Sequence, residues 1–79
     1  MMTPAEAANK VKQTQGYAEV LFVKDYDSEH YVVEALKDSN DLSSDLFGVD
    51  KNTGAVTGFF PRPGGTLEKY SSAKCLKFE

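Results

Sequence analysis

The chain has 79 residues, a formal net charge of −3 and 41% hydrophobic residues, and it contains five Phe, four Tyr and one Cys. That composition excludes wholesale disorder, an internal disulfide and, with no apolar run near the ~18 residues of a membrane span, a transmembrane helix. Residues 1–50 hold four Lys against ten acidic residues while residues 51–79 carry a net +3, a distribution that argues against nucleic acid as a partner.

A chain this short makes one domain, residues 1–79, with a single core and no room for a deep enclosed active site. Thr3-Pro4-Ala5-Glu6 is a capping box, in which Thr3 accepts from the amide of Glu6 and Glu6 reaches back to the amide of Thr3. Pro4 takes the first helical position, where its missing N–H costs nothing, and Gly16 is a left-handed stop. The pattern predicts a helix over 4–15. Its apolar stripe of Ala7, Ala8 and Val11, with Ala5 at the margin, is thin, so the helix must lie on something more hydrophobic.

That support reads as a sheet. Residues 17–24 are β-branched and aromatic and end in the polar tip 25–29, and residues 30–37 return as the second strand of a hairpin. Asp38 to Asp45 reads as a polar loop. A third strand over 46–50 meets a fourth over 55–60 across Lys51-Asn52-Thr53-Gly54, with Gly54 in a left-handed turn position. Pro61-Arg62-Pro63-Gly64-Gly65 ends that strand, and Lys74 to Phe78 alternate as a fifth, edge strand. The predicted class is α+β: an N-terminal helix packed on one face of a four- to five-stranded antiparallel sheet.

The polar segments do not complete a site. Asp50, Asn52 and Gly54 start like a calcium loop, but the fifth position is Gly54 and the twelfth Pro61, so turn chemistry accounts for them. Asp25, Asp27 and Glu29 lack a His or Cys partner and read as a solvated turn. His30 reads as a surface or sheet histidine and Cys75 as a half-buried strand residue without chemistry. Arg62, Lys69, Lys74 and Lys77 read as a solvated basic face. Gly64-Gly65 is read as opening no helix, so it makes no phosphate loop. No metal, cofactor or catalytic residue is assigned, and no enzyme is expected.

The aromatic residues offer a different kind of site. Phe59 and Phe60 are neighbours in a predicted strand and so point to opposite faces. One then enters the helix-covered core, and the other lies on the second face of the sheet. There it serves as a partner anchor unless the C-terminal segment folds over it. Phe59, Phe60, Tyr31 and Tyr70 are the candidate protein-binding residues.

Thr3-Pro4-Ala5-Glu6-Ala7-Ala8, His30-Tyr31-Val32-Val33-Glu34 and Val49-Asp50-Lys51-Asn52-Thr53-Gly54-Ala55-Val56 together resemble the PepSY-type domain over residues 3–57. The shared pattern is a capped helix, a Y-x-V strand and a V-D-x-x-T-G-x-V hairpin. The resemblance implies a non-enzymatic domain, found at the cell surface or beside secreted proteases, that binds or inhibits, with no catalytic residues to carry over. The expected function is a non-catalytic binding or inhibitory module acting on a protein partner through its sheet face or edge. The alternative is a small structural or assembly component, such as a phage or oligomer-forming protein. The compartment stays open.

Overall fold

A computed structural model describes residues 1–38 and 40–78; Ser39 of the predicted loop and Glu79 of the tail lie outside the described residues. Helix α1 (Pro4–Gln15) starts on Thr3, whose hydroxyl accepts from the Glu6 amide at 3.2 Å while Glu6 accepts from the Thr3 amide at 2.9 Å. It ends at Gly16, which takes the left-handed conformation (φ 72°) and donates to the Lys12 carbonyl. Ala7, Ala8 and Val11 are the buried stripe.

Strands β1 (Glu19–Asp25), β2 (His30–Asp38), β3 (Asp41–Asp50), β4 (Val56–Gly58) and β5 (Lys74–Leu76) form one antiparallel sheet in the order β4-β3-β2-β1-β5. A second helix, α2 (Thr66–Ser72), precedes β5. The alternation along β2 divides the two faces. Tyr31, Val33 and Ala35 join Val23, Phe47 and Val49 beneath α1, and this cluster is the core. Each of its valines, and Phe47, contributes about 1.5–3 kcal/mol by leaving water. Among the described residues, no helix is long and apolar enough to cross a membrane.

A bulge in β1 makes that core possible. Val20 pairs with Ala35 and Phe22 with Glu34, so Leu21 is an extra residue on the β1 side. In a regular strand Val20 and Val23 would face opposite ways, because side chains alternate. The bulge shifts the phase, and both valines reach the helix-covered face, where Val20 packs on the core. Phe22 is turned to the other face and stays exposed.

Three sequence expectations need correction. The segment read as a loop from Asp38 to Asp45 is mostly strand: β3 begins at Asp41, and Ser44 and Asp45 pair with Leu36 and Ala35. Ser43, Ser44 and Asp45 are tolerated there because their side chains are exposed, and Ser44 Oγ donates to Glu34 at 2.8 Å. The fourth strand is shorter than 55–60 and stops at Gly58. Gly64-Gly65, read as opening no helix, stands at the start of α2. Glu68 accepts from the amides of Gly64 at 2.9 Å and Gly65 at 2.6 Å, and Thr66 Oγ1 accepts from the Arg62 amide at 2.7 Å. The 51–54 turn forms as expected, with Gly54 at φ 77° and its amide on the Asp50 carbonyl.

Candidate functional site

The two hairpin tips on one side of the sheet are tied together by Lys51. It follows β3 and is 7% exposed, the one buried charged residue among those described. Its ammonium donates to the Asp25 carboxylate and, at 2.7 Å, to the Asp27 carbonyl, and it lies 4.8 Å from the Tyr31 ring centroid. The Lys51 amide donates to Glu29 O, and its carbonyl accepts from the Met2 amide. This one residue therefore holds the β1–β2 tip and the start of the chain. Sequence reasoning missed it because a lysine in a polar turn gives no signal of burial.

The tip itself is organised by Asp27. Its Oδ1 accepts from the amides of Glu29 and His30 and faces His30 Nδ1 at 3.1 Å. Burial pushes the Asp27 carboxyl pKa up. The hydrogen bonds from Glu29 and His30 outweigh that and hold it below the usual carboxylate value. Asp50 Oδ1 accepts from the Asn52 and Thr53 amides in the same manner, and those bonds depress its pKa. Among the described residues, no group of three His, Cys, Asp or Glu side chains is placed to hold a metal ion.

The second face of the sheet carries an aromatic cover. Phe59 stacks edge-on with Tyr26 at 5.0 Å and tilts against Tyr70 at 5.9 Å. Tyr70, from α2, donates its hydroxyl to Glu34 at 3.1 Å, while its carbonyl accepts from Lys24 Nζ at 3.1 Å. Burial, and then the neighbouring Glu34 charge and hydrogen bond, push the Tyr70 phenol up to about 12. Under the cover Val32 is buried although it faces away from α1. Beside it lies a cleft of about 250 Å³ lined by Tyr26, Asp27, His30, Val32, Gly48, Thr57 and Phe59.

The β3 side of the sheet is a separate surface. β4 pairs only with Phe47, Gly48 and Val49, and one further bond runs from the Phe59 amide to the Leu46 carbonyl. On the side away from β2, no strand among the described residues runs beside the first half of β3. Phe60 stands at this open stretch, 79% exposed, with its ring folded back over Gly58. Tyr17 flanks it, stacked edge-on against Phe47 at 5.0 Å with its hydroxyl on Asp45. That hydrogen bond raises the Tyr17 pKa, with burial and the Asp45 charge adding to it. Tyr17, Phe60 and the Ser44–Phe47 stretch enclose a shallow cleft of about 420 Å³.

The candidate protein-binding residues are thus dispersed. Neither Phe59 nor Phe60 enters the helix-covered core, because the strand ends at Gly58 before either is reached. Phe59 and Tyr70 meet on the second face, where the C-terminal segment does fold over the sheet. Tyr31 lies in the core with its hydroxyl on the Met2 carbonyl at 2.8 Å, and it offers no surface. Phe60 is the exposed one. Cys75, expected to be half-buried, is exposed on β5.

No family model matches this chain, and no curated protein or solved structure matches it either.

Proposed function

We propose that this domain is a non-catalytic protein-binding module whose contact surface is the open edge of β3 with Phe60 as its anchor. The observation that carries the reading is the early end of β4 at Gly58, which leaves the first half of β3, among the described residues, without a strand on the side away from β2, beside a Phe that is 79% exposed. An extended segment of a partner can add there as a strand, its backbone bonding to β3 and a side-chain pocket receiving Phe60. Large aromatic anchors of this kind dominate interface energetics. A second copy pairing the same open stretch of β3 about a two-fold axis would bring Asp45 toward its own equivalent, and like charges facing across a sheet oppose pairing. A foreign partner is therefore favoured over self-assembly. The likeness to PepSY-type domains, which typically bind rather than catalyse, agrees with this reading.

Capture from a lysate of the source organism, with wild type and Phe60→Ala run in parallel, tests the proposal. The expected result is a partner held by the wild type and lost by the variant, with the melting temperature unchanged. A partner held equally by both, or a stable symmetric oligomer in light scattering, would overturn it.

A further inference from the structure

The row of residues crossing the second face runs Lys24, Val32, Gly48, Thr57 through cross-strand pairing. Gly48 is the odd member. Glycine in the middle of a strand is unfavourable, since it has no side chain to pack and loses the most freedom on folding. Three reasons could require it, and the structure removes each. Its backbone does not take a positive φ. It belongs to no bulge, since β3 runs in regular register on both sides of it. No aromatic ring lies against it either: a Cβ built there would meet only Thr57 Oγ1, at 3.5 Å, an ordinary contact. What the missing side chain leaves is the floor of the 250 Å³ cleft between Val32 and Thr57.

We propose that Gly48 keeps this cleft open as a binding site for a single phenol-type ring. Size selects the ring. An apolar cavity of about 150 Å³ takes benzene and drug-sized ligands need about 300 Å³ or more, so this space suits one ring with a small substituent. The walls select aromaticity. Tyr26 and Phe59 already meet edge-to-face at 5.0 Å, and a third ring can extend that packing against Val32. The polar corner selects the hydroxyl. Asp27 Oδ1 faces His30 Nδ1 at 3.1 Å; a carboxylate only accepts, so this contact selects the tautomer with the proton on Nδ1 and leaves Nε2 as the acceptor for a phenolic O–H. Charge selects a neutral ligand. Lys69 already sits 3.8 Å from the Asp27 carboxylate and 4.6 Å from the Tyr26 ring, so the corner needs no further cation. The ring can belong to a free phenol or to a tyrosine side chain of a bound peptide. This site is on a different surface from the β3 edge and does not depend on that reading.

The test is an NMR titration of the full chain with p-cresol, with toluene, and with a capped Gly-Tyr-Gly peptide. The expected result is saturable shifts at His30, Val32, Thr57 and the rings of Tyr26 and Phe59 with p-cresol, with a Kd on the order of 1 mM or tighter. Toluene binds more weakly because it cannot meet His30. Peptide binding tighter than p-cresol assigns the ring to a partner's tyrosine, and the reverse order assigns it to a free phenol. Gly48→Val fills the floor and suits a strand, so it should fold with a melting temperature at or above wild type and lose the p-cresol shifts. Gly48→Ala serves in its place if the larger residue unfolds the chain. Absence of saturable shifts in the wild type, or shifts that persist unchanged in a folded Gly48 variant, would overturn the proposal.

Discussion

The Lys51 ammonium meets the Asp25 carboxylate from a buried position, yet the Asp25 side chain is 47% exposed. The pair is therefore asymmetric. Removing the lysine leaves an acid that water can reach, whereas removing the acid leaves a buried cation with only the Asp27 carbonyl and the Tyr31 ring. An uncompensated buried charge typically costs about 3–5 kcal/mol and a lost charged hydrogen bond about 1.5–3 kcal/mol. Asp25→Ala is expected to destabilise more than Lys51→Met in urea unfolding. The opposite order would mean that the ammonium's bond to the Asp27 carbonyl and its contact with the Tyr31 ring outweigh its pairing with Asp25.

Phe59 and Phe60 are adjacent but differ in surroundings, so alanine should separate them. Phe59→Ala removes the ring between Tyr26 and Tyr70 and uncovers Val32. A fully buried Phe costs about 3–5 kcal/mol on truncation, and the partial exposure of Phe59 sets the expectation near 2. Phe60→Ala, at an exposed site, should stay within about 0.5 kcal/mol. Equal losses in chemical denaturation would show that Phe60 is packed in solution.

The start of α1 provides a local test. Thr3→Ala deletes the acceptor for the Glu6 amide and should cost about 1 kcal/mol. Thr3→Ser keeps the oxygen and should recover most of it. A loss of less than a few tenths for alanine would place the helix start elsewhere.

Tyr70 should titrate well above an ordinary phenol, since it is pushed up to about 12 by burial and by Glu34. Its folded pKa lies above the unfolded value near 10. The associated stability is present below pH 10 and is lost as pH rises from 10 toward 12. Ultraviolet titration of the phenolate should lose a component near 12 in Tyr70→Phe. Loss of a component near 10 instead would show that burial and Glu34 do not act on this phenol.

The elements set by local chemistry were legible in the residues. The capping box at Thr3, the stop at Gly16 and the Gly54 turn each depend on side chains a few positions apart, and all three formed where expected. What failed depended on distant partners. Ser44 and Asp45 look like loop residues until β2 lies beside them. Helix α2 hid behind a Gly-Gly pair, although Glu68 three residues after Gly65 was a readable capping signal. The buried Lys51, the β1 bulge and the cleft over Gly48 come from register and crossing rows, which no short window of sequence contains.

The strand order has a consequence for how the molecule assembles. β1 to β4 each pair with their neighbour in the chain, so their loops are short to close. β5 returns from the far end to bring Leu76 onto Val23, and that long loop must be closed against a larger entropy loss. The four-strand meander can collapse on α1 first, with the C-terminal strap docking afterwards. Unfolding excursions retrace the same route, so amides of β5 and α2 should exchange with solvent sooner than those of β2. The aromatic roof over Val32 gains Tyr70 only with that final docking, making this roof the last part of the molecule to assemble and the first to open.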